Sequence, residues 1–129
     1  TKAKNIKRTA ELLVREYGGK VPAVLDELLR LPGVGRKTAN LVLNLGFALP
    51  AICVDTHVHR IVNRMGIVST RQPNETEQRL TEIMPERYWI EINGLLVSFG
   101  KKVCTPQSPF CYSCPFTAEC PKRGVGRSR

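Results

Sequence analysis

Residues 31–55 read LPGVGRKTANLVLNLGFALPAICVD, a short Gly/Pro hairpin followed by a basic pair and an apolar run. The spacing of the apolar residues predicts a helix directly after the hairpin. Lys37 lies at the start of that helix, and Asp55 follows its end as the only acidic residue between Glu27 and Glu75. An amine and an isolated carboxylate therefore bracket one helix, a pattern that indicates a catalytic site.

The chain has 129 residues, enough for one compact core or for two small lobes that share one. Its 20 Lys and Arg against 11 Asp and Glu give a formal net charge of +9. This excess favours a polyanionic partner, although a solvated basic surface explains the charge alone equally well. The longest apolar stretch, residues 41–54, is shorter than the roughly 18 residues of a membrane span, and the first residues lack the apolar segment of a secretion signal.

Apolar residues recur at helical spacing along most of the chain, and no segment alternates with a period of two for long. The pattern predicts an all-α fold of about six helices with short connections. We expect the first helix to end at Gly18 and the second to have Pro22 in its first turn. Asp55 or Thr56 should cap the fourth helix, and a capping box from Asn74 to Glu77 should start the fifth. The last helix should end at Gly100.

Four cysteines follow the spacing C-x6-C-x2-C-x5-C, namely Cys104, Cys111, Cys114 and Cys120. Four soft ligands within so short a segment suit an iron–sulfur cluster or a zinc ion, and two disulfides are a third interpretation. We favour the cluster because short Pro-rich loops separate the cysteines and a fifth, Cys53, would be left without a partner. Cys53 lies in an apolar stretch and is expected in the core.

The hairpin residues Gly33 and Gly35 permit backbone conformations that other residues avoid. The N–H groups at the start of the following helix can bind a phosphate, and the helix dipole favours that anion. Arg36 and Lys37 come directly after the hairpin and strengthen this interpretation. Such a contact grips the nucleic-acid backbone without reading its bases.

Lys37 has two interpretations, a cation that grips phosphate or a nucleophile whose neutral form is favoured by the helix N-terminus and Arg36. Asp55 is either only a helix cap or a carboxylate that stabilises an electron-deficient sugar carbon. His57 and His59 would lie about 200° apart on a helix. We therefore expect them to be structural or close to a phosphate rather than joint metal ligands.

The segments LPGVGRKTAN and VDTHVHRIVNR and the cysteine spacing, in this order, resemble the endonuclease III branch of the helix-hairpin-helix DNA glycosylases. The resemblance covers the whole chain and implies the all-α fold of that family. Residues 1–50 would then be the C-terminal part of a six-helix lobe that carries the helix-hairpin-helix. Residues 51–129 would form the second helical lobe, ending in the cysteine cluster loop at 104–120. The resemblance also implies that the N-terminal third of the family's length is absent.

The resemblance implies a bifunctional DNA glycosylase and AP lyase of base-excision repair. In such an enzyme Lys37 is the nucleophile that releases an oxidised pyrimidine through a Schiff base and then nicks the abasic strand by β-elimination, and Asp55 is the essential aspartate. The four spaced cysteines would bind a 4Fe-4S cluster. Relatives that only remove bases generally lack the lysine, and the oxidised-guanine branch usually lacks the cluster.

The implied partner is double-stranded DNA that contains damaged bases or abasic sites. The resemblance implies that the full-length protein is a monomer. It implies a location inside the cell: in the cytoplasm or nucleoid of a prokaryote, or in the nucleus or a mitochondrion of a eukaryote. A non-catalytic iron–sulfur module that only binds DNA is the alternative function. We expect the DNA contacts of the hairpin region and of the helix after Asp55 to come from Leu31, Gly33, Val34, Gly35, Arg36, Thr38 and His57.

Overall fold

A computed structural model describes all 129 residues, which form six α-helices and no strand. The all-α prediction is confirmed. Two compact units divide the chain, Thr1–Ala51 and Ile52–Arg129, and no helix is both long and apolar enough to cross a membrane. The helices are α1 (Lys2–Tyr17), α2 (Leu25–Leu29), α3 (Arg36–Phe47), α4 (Thr56–Arg64), α5 (Pro73–Ile83) and α6 (Trp89–Lys102), with 3-10 turns at Glu86–Tyr88 and Cys111–Ser113.

The core of the first unit forms where α2 packs against α3. Its buried side chains are Leu28, Leu31, Ala39 and Leu43. The apolar stripe of α1 covers this cluster, and Gly18 ends α1 in the left-handed conformation, as the sequence predicts. Each buried leucine contributes about 1.5–3 kcal/mol relative to an exposed one. The hairpin before α3 therefore rests on a packed layer.

A polar network joins the end of α1 to α2. Tyr17 donates a hydrogen bond to Glu27, and Arg30 reaches Glu27 and Glu16 with its two terminal nitrogens at 3.1 Å each. The bond from Tyr17, aided by the charge of Arg30, lowers the pKa of the Glu27 carboxyl below its ordinary value of 4.5. Because the folded-state pKa is lowered, this carboxylate contributes stability above pH 4.5, and the contribution is lost as the pH falls through the folded value.

The core of the second unit is built around α4, which packs against α6. Val58, Ile61 and Val62 are at most 1% exposed, so the predicted apolar stripe of α4 is confirmed. Residues 52–54, which lead into α4, are also buried, and Cys53 is fully enclosed, as expected of a core cysteine. This buried segment places Asp55 at the N-cap position of α4.

The prolines near two helix starts differ from the sequence prediction. Pro22 lies before α2, which begins only at Leu25. Pro73, expected in a loop, is instead the first residue of α5, where its fixed φ and missing N–H suit the first turn. The capping box predicted from Asn74 is therefore wrong, since that residue is already helical. Glu77, its expected partner, is only 8% exposed within the helix.

Gly100 does not end the last helix, because α6 continues to Lys102. It is buried where α6 crosses α4. A Cβ at this position would lie 2.6 Å from His57 Nδ1 and 3.0 Å from Arg60 Nη2. Gly100 is thus required for the close approach of two helices rather than for a helix stop.

Substitution of Gly100 tests this close approach. Gly100→Ala should lower the free energy of unfolding by about 1–3 kcal/mol, because the new methyl group overlaps the side chains of α4. Gly94→Ala in the same helix is the control, since a Cβ there meets nothing within 4 Å. The control should stabilise by up to about 1 kcal/mol through helix propensity. Urea unfolding measures both, and equal effects of the two variants would contradict the packing argument.

Candidate active site and cysteine centre

The hairpin before α3 is a tight turn closed by the Val34 N–H, which donates to the Leu31 carbonyl at 3.1 Å. Gly33 has φ +81°, a conformation that favours glycine. Gly35 has φ −97° and ψ 178°, which any residue adopts, so the special backbone geometry expected there is wrong. Gly35 is instead the N-cap residue of α3 and has no side chain to cap it. An external anion can therefore take the capping position.

Two side chains one turn apart on α1 hold the hairpin. Thr9 Oγ1 donates to the Pro32 carbonyl at 3.1 Å. Asn5 lies so close to the hairpin that a Cβ on Gly33 would be 2.7 Å from its Nδ2 atom. Sequence reasoning assigned no role to Thr9 or Asn5, because only the fold brings α1 to the hairpin.

The predicted contact residues of the hairpin differ in their exposure. Gly33, Gly35, Lys37 and Thr38 are exposed at the hairpin and in the first turn of α3. Leu31 is only 5% exposed and packs into the core of the first unit, so its side chain supports the hairpin from inside. The surface offered to a ligand therefore consists of glycine backbone, the lysine amine and a hydroxyl group.

Asp55 caps α4, as predicted. Its Oδ1 atom accepts hydrogen bonds from the N–H groups of His57 and Val58, both at 2.9 Å. These two bonds fix the orientation of the carboxylate, which is half-buried. Both of these bonds use the Oδ1 atom of the carboxylate. The capping and catalytic interpretations of Asp55 are thus compatible in one conformation.

The two histidines of α4 make different contacts. His57 Nδ1 lies 3.1 Å from Arg60 Nη2, while His59 Nδ1 lies 2.7 Å from Thr76 Oγ1. His59 thereby links α4 to α5 within the second unit, and His57 packs beside Gly100 of α6. Both rings connect α4 to neighbouring helices.

The four spaced cysteines line one cavity in the second unit. The cavity has a volume of about 30 Å³, and its walls include the aromatic rings of Phe99, Phe110 and Phe116. All five cysteines of the chain are free thiols, so the disulfide interpretation is wrong for this structure. Apolar walls around four thiols suit a buried inorganic group. The members of the set are Cys104, Cys111, Cys114 and Cys120.

The thiols do not converge on a single ion position. No three His, Cys, Asp or Glu side chains form a group that could hold one metal ion. A zinc site needs all its sulfur ligands about 2.3 Å from one point. A polynuclear cluster instead takes each thiolate on a different iron, so its ligands are spread around a larger volume. Four thiols that line one cavity fit the donor set of such a cluster.

Two arginines one turn apart on α4 bind the backbone of the cysteine segment. Arg60 Nη2 donates to the Cys104 carbonyl at 2.9 Å. Arg64 donates to the carbonyls of Thr105 and Pro106, both at 2.7 Å, and its Nη1 atom lies 3.5 Å from the Cys104 sulfur. The helix that Asp55 caps therefore also anchors the cysteine segment.

Arg60 and Arg64 place two positive charges in a largely enclosed setting. Burial, together with the charge of Arg64, lowers the pKa of Arg60 below its ordinary value. Buried cations require compensating negative charge or hydrogen bonds. Here the carbonyl oxygens of Gly100 and Cys104 accept hydrogen bonds from Arg60, and those of Thr105 and Pro106 accept from Arg64. Sequence reasoning missed both arginines, although their i, i+4 spacing on either side of the buried Ile61 is a usable signal.

The chain is similar to known proteins over most of its length. The model of the HhH-GPD superfamily base excision DNA repair proteins matches residues 1–86. Endonuclease III of Thermotoga maritima is 53% identical over 131 residues, which cover 99% of this chain and 62% of that protein. The chain thus spans less than two thirds of the length of this relative.

Two solved structures are similar in fold. A non-covalent endonuclease III–DNA complex and a trapped endonuclease III–DNA covalent intermediate each give a TM-score of 0.89 at 43% sequence identity. Each match covers 94% of this chain and 57% of the other. The family model alone matches two thirds of the residues, including the hairpin, Lys37 and Asp55. The chain therefore belongs to the HhH-GPD superfamily of base excision DNA repair proteins.

Proposed function

We propose that this protein is a bifunctional DNA glycosylase and AP lyase that removes oxidised pyrimidines from duplex DNA. The observation that carries the proposal is the exposed Lys37 in the first turn of α3, directly after a glycine hairpin held by α1. The similarity to endonuclease III, for which a DNA complex and a trapped covalent intermediate are known, supports it. In this proposal, residues 1–50 and 51–129 are parts of the six-helix lobe and the cluster lobe, respectively.

The hairpin binds the DNA backbone in this proposal. Gly33 and Gly35 are exposed and carry no Cβ, so a phosphate can approach their backbone closely. The N-terminus of α3 has no side-chain cap, and its dipole favours an anion there. Thr38 and Arg36 add a hydroxyl group and a positive charge in the same turn. These contacts hold DNA of any sequence, as a repair enzyme requires.

Lys37 supplies the nucleophile. The lone pair of its neutral amine forms a bond to the sugar C1′ while the C1′–N bond to the base breaks and the damaged base leaves with that electron pair. The amine proton is transferred to the ring oxygen O4′ as the C1′–O4′ bond breaks, and the nitrogen lone pair forms the C=N bond of a protonated Schiff base. Removal of a C2′ proton then expels the 3′ phosphate by β-elimination, which nicks the strand. The flipped nucleotide exposes C1′ to this attack.

Asp55 stabilises the positive charge that develops on the sugar as the base leaves. Its Oδ1 atom is held by two backbone N–H groups, which fixes the carboxylate before the substrate arrives. Such preorganised charge costs no reorganisation during the reaction.

The four cysteines of the cavity hold a 4Fe-4S cluster in this proposal. The residues fit this group because four free thiols line one apolar cavity beside Arg64. When bound, the cluster supplies a set of iron–thiolate bonds that cross-link residues 104–120. This segment has little apolar core of its own: only Pro109 is buried among its residues. The cysteines therefore order the segment that Arg60 and Arg64 contact.

Two glycine substitutions separate hairpin stability from phosphate binding. Gly33→Ala should destabilise the protein by about 1–3 kcal/mol, because it places a Cβ at φ +81° and 2.7 Å from Asn5. Gly35→Ala has ordinary backbone geometry and nothing within 4 Å, so it should lower stability only by about 0.5–1 kcal/mol, the cost of Ala at an N-cap position. It should still weaken duplex binding severalfold by blocking the close approach of a phosphate. Unchanged duplex affinity in a folded Gly35→Ala protein would contradict the proposed grip.

Reductive trapping tests the chemistry. With borohydride and duplex DNA that contains an abasic site, the chain should form a covalent adduct, and Lys37→Ala should lose it completely. Lys7→Ala, at an exposed position of α1, is the matched control and should retain the adduct. Asp55→Asn should slow base release at least about 100-fold with little change in duplex affinity. Salt-sensitive DNA binding without any adduct would identify the non-catalytic DNA-binding module instead.

Metal analysis tests the cysteine centre. The purified chain should contain about four irons with matching sulfide and absorb broadly in the visible range. Cys114→Ala should lose this absorption, and the thermal stability of the second unit should fall with it. Cys53→Ala is the control, since Cys53 is buried away from the set and should leave the iron content unchanged. Stoichiometric zinc without iron would refute the cluster assignment.

A further inference from the structure

Residues 121–129 read PKRGVGRSR and form a segment that we call the basic strap. It carries four cations, Lys122, Arg123, Arg127 and Arg129, and no acidic residue. A basic tail of this composition is ordinarily mobile and solvated. The strap differs from such a tail because both of its ends are fixed to the second unit.

The first end of the strap is fixed at the end of α4. The Arg123 N–H donates to the Arg64 carbonyl at 3.0 Å. Gly66, which follows α4 with φ +70°, lies directly beneath this part of the strap. A Cβ on Gly66 would be 2.9 Å from Pro121 Cγ and 3.4 Å from Arg123 Cζ. The guanidinium stem of Arg123 is thus positioned over the turn that follows α4.

The second end is fixed on the cysteine loop. The Arg129 N–H donates to the Pro109 carbonyl at 2.9 Å, and its Nε atom donates to the Ser108 carbonyl at 3.1 Å. Its guanidinium group also lies 4.2 Å from the centroid of the Phe110 ring. Arg129 is therefore an anchor of the strap, and its charge is engaged with the loop.

The backbone between the two anchors turns sharply. The Val125 N–H donates to the Lys122 carbonyl at 3.1 Å, and Val125 reaches the wall of the cysteine cavity. Gly124 adopts φ +69° in this turn. The apolar Val125 points inward, while Arg123 and Arg127 on either side of it are exposed. The strap therefore presents cations from a constrained backbone.

The cations of the strap are not neutralised by neighbouring carboxylates. Glutamate side chains form ion pairs with four cations outside the strap, namely Lys7, Arg15, Arg30 and Arg79. Like charges held close together repel each other, and a polyanion relieves that repulsion. DNA phosphates satisfy this requirement without any base recognition.

We propose that the basic strap is a second phosphate-binding surface, separate from the hairpin, which grips the backbone of duplex DNA through Arg123, Arg127 and Lys122. The proposal deepens the proposed function and rests on it for the choice of duplex DNA as the polyanion. The strap binds any sequence and takes no part in the chemistry at the sugar. Its contribution should appear in the salt dependence of binding, because each phosphate contact releases counterions.

The test compares two double variants with the same loss of charge. Arg123→Gln with Arg127→Gln removes two strap cations, while Arg71→Gln with Arg79→Gln removes two exposed cations elsewhere in the second unit. Affinity for an undamaged duplex is measured from about 50 to 200 mM salt. The strap variant should bind about tenfold more weakly at the low-salt end, and its log–log salt slope should fall by about 1–2 relative to the wild type. The control variant should keep a slope close to that of the wild type.

Equal slopes for the two variants would overturn the strap proposal, since a general loss of charge would then explain both. Thermal unfolding of each variant confirms that the fold is retained, which is expected because neither substituted strap side chain donates a hydrogen bond. Borohydride trapping on abasic DNA at saturating protein separates the two proposals. Normal trapping with equal salt slopes refutes only the strap, whereas a reduced slope without any adduct in the wild type refutes only the glycosylase–lyase function.

Discussion

The anchoring of the cysteine segment by Arg64 is the interaction on which the second unit depends. Arg64 is 9% exposed and donates to two carbonyl oxygens at 2.7 Å and towards the Cys104 sulfur at 3.5 Å. Its own carbonyl accepts the Arg123 N–H and lies 3.6 Å from the Cys120 sulfur. One residue thus contacts both ends of the cysteine set and the strap. Its removal would leave the Thr105 and Pro106 carbonyl groups without their arginine donor, and a hydrogen bond from a charged donor contributes about 1.5–3 kcal/mol.

The same helix connects this anchor to the proposed chemistry. Asp55 caps the first turn of α4 and Arg64 ends its last turn, so the carboxylate and the cysteine segment are attached to one rigid element. Gly100 allows α6 to approach α4 closely enough for Arg60 to bond its carbonyl. The second unit therefore holds the Asp55 carboxylate at the start of α4 and the cysteine segment at the end of the same helix.

The positive charges of the chain serve two different purposes. Arg60 and Arg64 are enclosed and bind protein carbonyls, so they contribute to the fold rather than to a surface field. Lys37 and the strap cations Arg123 and Arg127 are exposed, and in our proposals they contact DNA. A net charge of +9 gives only the sum of these groups. The structure is needed to separate them.

Local features of this chain could be predicted from the sequence, and nonlocal ones could not. The helical periodicity, the cap at Asp55 and the core position of Cys53 follow from neighbouring residues, and the structure confirms them. Gly100 was misinterpreted because a glycine required for helix contact looks the same in sequence as a helix stop. The predicted capping box was wrong because α5 starts at Pro73, two residues before the start that a cap at Asn74 implies.

The hydrogen bond from Thr9 to the hairpin and the bonds from Arg64 to the cysteine segment join residues more than twenty positions apart. No short motif encodes such contacts. The resemblance to a family supplied the role of Lys37, whereas the physical reason for its setting, an uncapped helix start behind a supported turn, comes from the structure.

The central claim is that one particular amine of this chain attacks the sugar. The most direct measurement is peptide mapping by mass spectrometry of the borohydride-reduced adduct formed with an abasic oligonucleotide. The chain has eight lysines, and the account predicts that the nucleotide remnant is found on the peptide containing Lys37 alone. A remnant on any of the other seven lysines, or on the N-terminal amine, with Lys37 unmodified would contradict the account.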